Sequence, residues 1–241
     1  MKEITTKVIQ GNCKEVLKDI DDNSFDLIFT SPPYADRRKN TYVIELILAL
    51  RKQGWLWTEE FIWHKKNCYP GKWPNRFRDA WERILQFNKT KKFNMYQDEV
   101  KVPIGDWANN RLKNLSEVDK IRDTSKNGSG FGKNISNWLN KETVYPTNVI
   151  HLSTECNNKN HSAAFPYALP EWFIKLFTKE FGTVLDPFMG SGTTIEVAKD
   201  YKRNSTGIEI LPEYVEMVKN KLSEKEFILF EPQTIYESTK H

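Results

Sequence analysis

Residues 6–10, with Thr6, Val8 and Ile9 among them, read as a strand near the start of the chain. A short helix is predicted over 13–19, and the apolar run from Phe25 predicts a second strand over 25–30. Over 41–53 the residues Val43, Leu46, Ile47 and Leu50 share one helical stripe. Gly54 suits the left-handed position that ends such a helix. Strands are predicted over 56–63 and 83–87, on either side of a loop rich in Pro, Asn and Arg. From 93 to 150 the periodicity is lost, and the stretch is read as an inserted small domain or set of loops. Order resumes at 161, and Pro170 suits the first position of a helix running to about Thr178. A strand over 183–185 follows, then a helix to about Lys202, and then a strand over 205–209 that ends in an acid. Pro212 opens a last helix, to about Leu222. The alternation of β and α in this half predicts a parallel sheet.

Two segments between these elements carry candidate chemistry. The run Thr30-Ser31-Pro32-Pro33-Tyr34 sits at the carboxyl end of the second predicted strand. Open α/β sheets place their ligand crevice there. The two prolines fix φ twice and remove two backbone donors, so nearby carbonyls are left pointing outward. A hydroxyl before the prolines and a ring after them complete a rigid cup, suited to a planar base bearing an amino group. The second segment is Gly190-Ser191-Gly192, between a strand and a helix, where backbone can approach a ligand closely. No lysine follows Gly192, which argues against a phosphate-binding P-loop. Ile195 stands where a dinucleotide fingerprint wants a third glycine. S-adenosylmethionine, a cation without phosphate, fits better. Asp186 supplies an acid for its ammonium and sulfonium, and Glu209 an acceptor pair for its ribose diol. The 23 positions from Asp186 to Glu209 match adjacent strand ends of one βαβ unit.

Composition narrows the class. A chain of 241 residues holds one α/β domain with an insertion. No apolar run approaches the roughly 18–20 residues that span a bilayer, so no membrane association is expected. Met1-Lys2-Glu3 leads into a strand pattern and not into a signal peptide. Cys13, Cys68 and Cys156 show neither a disulfide framework nor zinc spacing, which points to a reducing cytosol and to no metal. The net charge of +4 is unevenly placed: residues 61–92 hold nine Lys or Arg against Asp79 and Glu82. Trp63, Tyr69, Trp73, Phe77 and Trp81 are interleaved there. Such a stretch suits a polyanion with bases to stack on, and Lys65, Lys66, Arg76 and Arg78 are the candidate phosphate contacts. A solvated surface over buried tryptophans accounts for the same composition equally well.

Thr30-Ser31-Pro32-Pro33-Tyr34, the later Asp186-Pro187-Phe188-Met189-Gly190-Ser191-Gly192-Thr193-Thr194 and then Gly207-Ile208-Glu209 together resemble the beta-class, circularly permuted DNA amino-methyltransferases. The resemblance covers about residues 6–40, 55–88 and 161–222. It implies an α/β, Rossmann-like S-adenosylmethionine-dependent methyltransferase fold with permuted motif order and an inserted target-recognition region. Residues 1–92 would form the catalytic half of one domain, 93–150 the target-recognition insertion, 151–230 the donor-binding half and 231–241 a tail. Ser31 is similar to the cytosine-N4 form of the catalytic motif, whereas adenine-N6 members more often carry Asp or Asn there.

By the same resemblance, Ser31 and the Pro32 carbonyl would accept hydrogen bonds from the target amino group. Pro33 would hold the cup rigid, and Tyr34 would stack on the flipped base. Asp186, Pro187, Phe188, Gly190, Gly192, Thr193 and Thr194 would form the donor pocket, with Glu209 on the ribose. Asn12 stands where the family usually has an Asp facing the adenine amino group. His161 and Phe165 lie in the segment that covers the methionine end. The implied activity is site-specific methylation of cytosine N4 in double-stranded DNA, releasing S-adenosylhomocysteine. Its implied setting is a restriction–modification system in the cytoplasm of a bacterial or archaeal cell, or encoded by a phage. A cognate endonuclease would act beside it without direct contact. None of the cysteines follows a proline, so carbon-5 methylation through a thiol nucleophile is excluded. Adenine-N6 methylation, and a donor-binding or DNA-binding subunit without turnover, remain the alternatives.

One join departs from the family. After Tyr34 the family places a helix and a further strand, a unit of roughly 30 residues. Here residues 35–40 lead straight into the helix at Thr41. Either the sheet lacks a central strand or a segment is missing between Asn40 and Thr41; the second is the expectation.

Overall fold

A computed structural model describes residues 3–32, 41–67, 74–75, 77–113, 141–154 and 165–228. Four strands build its main sheet. Strand β1 (Thr6–Gln10) leads into helix α1 (Cys13–Val16), which tightens into a 3-10 turn at Leu17–Asp19. Strand β2 (Leu27–Ile28) follows, and then helix α2 (Thr41–Lys52). Strands β3 (Leu56–Lys65) and β4 (Trp81–Asn88) form an antiparallel pair with an irregularity between Trp57 and Glu59.

Residues Gln97–Asn148 cluster as a compact unit of their own. Within it lie β5 (Val102–Pro103), α3 (Asp106–Lys113) and β6 (Thr143–Val144), with β5 and β6 paired antiparallel. Val100 and Ile104 are its buried apolar residues among those described. The expected target-recognition region falls largely on this unit, and residues 114–140 of it lie outside the described set.

The chain returns through β7 (Val149–Leu152), α4 (Ala168–Phe177), β8 (Thr183–Asp186), α5 (Thr193–Asp200), β9 (Asn204–Glu209) and α6 (Pro212–Ile228). The main sheet runs β1–β9–β8–β2, and every pairing in it is parallel. That is the sheet expected from the β/α alternation. Its strands β8 and β9 are buried nearly end to end, as parallel strands covered by helices must be. A second sheet runs β4–β3–β7.

Three apolar clusters hold these layers. Phe61, Trp63, Ile150, Leu169 and Phe173 form one, with Phe29 packed on it. Ile174, Val184, Val197 and Ala198 join α4, β8 and α5. Met189, Ile195, Val218 and Leu222 join the loop after β8 to α5 and α6. A buried cation braces the far end: the Arg203 guanidinium donates to the Thr178 carbonyl at 2.8 Å and to its hydroxyl at 3.1 Å.

Several expectations shift in detail. Pro170 is the third residue of α4, still inside the first turn, where its missing N–H leaves no helical bond unmade. Strand β2 is only two residues long, because one neighbour, β8, supplies its ladder. On α2 the buried stripe is narrower than its pattern: Ile47 is buried but Leu46 is 40% exposed. Strand β7 emerges where no periodicity marked it. Among the described residues no strand pairs with the far side of β2. The join between Asn40 and Thr41 lies outside the described residues.

Candidate active site

The carboxyl ends of β1, β2, β8 and β9 converge on one cavity of about 480 Å³. That volume is ordinary for a small-molecule site. Its walls come from the ends of all four strands. Gly11, Asn12 and Cys13 follow β1, and Ser31 and Pro32 follow β2. Pro187, Phe188, Met189, Gly190, Ser191 and Thr193 form the loop after β8. Ile208, Glu209, Ile210, Leu211 and Tyr214 close the end of β9, and Phe165 completes the lining.

Glu209 is the polar anchor. Its Oε2 accepts the Gly190 N–H at 2.8 Å, and its Oε1 accepts the Leu211 N–H at 3.0 Å. Both oxygens are therefore fixed in direction, and each keeps a free lone-pair direction for a diol. The two backbone donors bond one to each oxygen, which restrains rotation of the carboxylate. Gly190 reaches this position with φ 51°, in the left-handed region that glycine tolerates. Beside Glu209, Phe188, Ile210 and Leu211 are 39%, 60% and 42% exposed. Exposed apolar side chains on a cavity wall are a site for a flat ring.

Asp186 behaves differently from expectation. It is 1% exposed and is not on the cavity wall. Its Oδ1 accepts from the Thr30 hydroxyl at 2.7 Å and from the Phe188 N–H at 3.1 Å. Its Oδ2 accepts from the Thr194 hydroxyl at 2.7 Å. Burial raises the Asp186 carboxyl above the usual carboxylate range, and these three donors work in the opposite direction. The carboxylate is thus tied to its own fold, through Thr30, Phe188 and Thr194, and does not border the cavity. Thr194 is turned inward by the same tie and is fully buried. Gly192 is also off the wall: a Cβ built on it would face Val218 of α6.

Asn12 is on the wall, but its Oδ1 accepts the Lys14 N–H at 3.0 Å and caps α1. One Oδ1 lone pair and the Nδ2 amide group remain for a ligand. Lys65 is drawn into an ion pair with Glu82 at 2.6 Å and is mostly buried, so it is not a free phosphate contact. Arg78 is exposed, and Lys66 is exposed beside the start of the loop after β3. Pro33, Tyr34, Arg76 and His161 lie outside the described residues.

The sequence left Met189, Ser191, Ile210, Leu211 and Tyr214 unassigned. A usable signal was present: Ile210-Leu211 are apolar residues between a strand-end acid and the proline that opens a helix. Such residues cannot enter the sheet core and must face the crevice.

The family model for DNA methylases matches residues 35–220. The chain belongs to the DNA methylase family. Among its relatives is the type II methyltransferase M.PvuII of Proteus hauseri, 27% identical over 274 residues, covering 85% of this chain and 80% of that protein. A match of that length against 241 residues contains positions with no counterpart here. The type II methyltransferase M.SmaI of Serratia marcescens is 29% identical over 177 residues. That match covers 73% of this chain and half the length of M.SmaI.

Two solved structures share the fold. The cytosine-N4-specific PvuII DNA methyltransferase superposes with a TM-score of 0.63 at 19% identity, covering 96% of this DNA methylase and 88% of that chain. The M1.HpyAVI complex with SAM superposes with a TM-score of 0.60 at 21% identity, covering 90% and 100%. The fold of this DNA methylase is therefore the Rossmann-like methyltransferase fold, with its donor-loop strand in the second half of the chain.

Proposed function

We propose that this chain transfers a methyl group from S-adenosylmethionine to the exocyclic amino group of a flipped cytosine in double-stranded DNA. The observation that carries this reading is the shared cavity. Ser31 and Pro32, the acceptors of the catalytic run, open onto the same space as Gly190, Ser191 and Glu209. Donor and target would meet there.

The wall suits the donor. Glu209 offers two fixed acceptors to the ribose hydroxyls, and Phe188, Ile210 and Leu211 flank the adenine. When bound, the donor supplies an electrophilic methyl on a sulfonium, with a neutral thioether as leaving group. The protein's part is positioning. The Ser31 side chain and the Pro32 carbonyl accept the two amino hydrogens of the target. That draws the nitrogen lone pair out of the ring and toward the methyl. The nitrogen–methyl bond forms as the methyl–sulfur bond breaks, and the cationic nitrogen then releases one proton to solvent water. Extruding the base from the duplex costs a few kcal/mol. Stacking on Tyr34 offsets about 1–3 kcal/mol of that.

The deciding experiment incubates the protein with mixed-sequence genomic DNA and methyl-labelled donor, then digests the DNA to nucleosides. N4-methylcytosine is the expected product. N6-methyladenine transfers the reading to the other amino group. Donor binding without any methylated nucleoside makes the chain a non-catalytic subunit. Sequencing the modified DNA then gives the site. Protection of host DNA alongside a cognate endonuclease, in the cytoplasm, is the setting that this activity fits.

Glu209 gives a direct test of the donor pocket. In Glu209→Gln the new amide N–H₂ must face either the Gly190 or the Leu211 N–H, donor against donor. A buried unpaired donor costs about 1–3 kcal/mol. S-adenosylhomocysteine binding by calorimetry is expected to weaken about tenfold or more. Unchanged affinity removes Glu209 from the donor site.

Among the described residues proposed from the sequence, Lys66 and Arg78 are the exposed cations for the DNA backbone. Replacing both with Ala is expected to lower the slope of log K against log salt by about 1.8. An unchanged slope sinks the phosphate role.

A further inference from the structure

Asp186 is a buried junction between the two halves of the site. It receives Thr30 from the catalytic run, Phe188 from the donor loop and Thr194 from the helix behind that loop. The Thr30 bond has a particular place in the strand ladder. Strands β2 and β8 pair through Leu27–Val184 and Ile28–Leu185 only. The Phe29 N–H to Leu185 carbonyl bond, at 3.0 Å, is the last backbone link between the two strand ends among the described residues. Pro32 and Pro33 have no N–H, so neither can continue that ladder by donating to it. The Thr30 hydroxyl is thus the last bond between the strands before Ser31. It ends on a carboxylate whose other bonds fix the donor loop.

Building on the methyl-transfer reading above, we propose that Asp186 and Thr30 are positioning residues that couple the two ligands of the site. Donor bound against Phe188 and Gly190 holds the loop over 187–193 in place. That loop fixes the orientation of the Asp186 carboxylate. The carboxylate fixes Thr30, and Thr30 fixes the adjacent acceptor, Ser31. A filled donor pocket therefore presents a better-ordered cup to the flipped base. By linkage, a bound target base tightens the donor to the same degree.

Thr30→Val tests this, because it keeps the shape and β-branching of threonine and removes only the hydroxyl. Three quantities are compared in the full-length protein. These are the Kd for S-adenosylhomocysteine, the Kd for a short duplex carrying the sequenced target site with and without saturating S-adenosylhomocysteine, and the single-turnover rate of methyl transfer. In the wild type, S-adenosylhomocysteine is expected to tighten duplex binding about fivefold or more, a usual size for coupling between sites. In Thr30→Val the donor Kd without DNA stays within about twofold, the coupling factor falls towards one, and the single-turnover rate falls about tenfold. Thr30→Ser restores both, since it restores the donor.

Two outcomes in the variants overturn the proposal. One is a Thr30→Val protein with unchanged coupling and rate. The other is a loss of rate, melting temperature and donor affinity together that Thr30→Ser does not rescue, which makes the bond merely structural. A wild type that binds donor and DNA but shows no coupling also removes it, while leaving the methyl-transfer reading intact. A wild type that binds no donor overturns that reading first.

Discussion

Ser31→Ala is expected to slow methyl transfer by about 10²–10³-fold while donor affinity stays within about twofold. The expectation follows from where Ser31 stands. It borders the cavity at the end of β2, across from the donor loop and not within it. Removing its hydroxyl leaves one target amino hydrogen without an acceptor, so the amino nitrogen stays flat and conjugated. The loss falls on the reacting state, where the nitrogen must become tetrahedral, and not on the ground state of the donor complex. A single preorganised hydrogen-bond partner of this kind is worth about 3–4 kcal/mol. Ser31→Asn restores an acceptor through its amide oxygen and is expected to recover part of the rate. Single-turnover measurement separates the methyl-transfer step from product release. A Ser31→Ala protein that turns over at the wild-type rate leaves the cup without its proposed chemistry.

Gly192→Ala is expected to destabilise the folded state by about 2–4 kcal/mol, the sum of a backbone and a packing cost. Gly192 caps α5 with φ 79°, a left-handed conformation that an L side chain rarely adopts. The added methyl would stand 2.6 Å and 2.9 Å from the two γ carbons of Val218. Val218 is 1% exposed, and its branched side chain has one strongly preferred rotamer in a helix, so it cannot swing aside. Either α6 moves away from the donor loop or the loop lifts. Gly54 supplies the control. Its φ of 97° is also left-handed, yet a Cβ there meets nothing within 4 Å. Gly54→Ala should therefore show the backbone cost alone, about 1 kcal/mol. Urea denaturation of both variants gives the comparison. Equal losses mean that the contact with Val218 relaxes freely and that the packing half of the estimate is wrong.

The elements that were legible in the sequence are those whose own residues specify them. Strand β1 has the expected bounds of 6–10, and three of its five residues, Thr6, Val8 and Ile9, are β-branched strand formers. Strand β9 and the start of α6 were equally plain, since Glu209 and Pro212 punctuate them. Elements set by a neighbour were harder. The apolar run from Phe25 promises six residues of strand, but only Leu27 and Ile28 pair, because the ladder depends on how far β8 runs alongside. Strand β7 is four residues long, too short for any period, and it exists because β3 receives it.

The site follows the same rule. Gly190, proposed for its backbone role, and Glu209, proposed as a strand-end acid, both border the cavity. The inward turn of Asp186 was not visible, because an acid after a strand can equally face a ligand or a hydroxyl. Thr30 and Thr194 decide that, and only the fold brings them 2.7 Å from its two oxygens. The ion pair of Lys65 was hidden for a related reason: its acid partner, Glu82, comes from the adjacent strand.

The order of strands has a further consequence for how the chain is made. Strand β1 pairs with β9, Thr6 against Ser205 through Gln10 against Glu209. The Gly11 N–H extends that ladder to the Glu209 carbonyl. On the ribosome strand β1 therefore emerges long before β9, its partner in the main sheet among the described residues, has been synthesised. At about 5–20 residues per second, roughly 200 residues of delay leave it waiting for about 10–40 s. During that time its apolar side chains and open hydrogen-bonding edge are available to chaperones or to another nascent copy. Contacts so distant in sequence also make sheet closure slow once synthesis ends. Completion of the donor site, which lies at that closing seam, becomes a late event in the biogenesis of the enzyme.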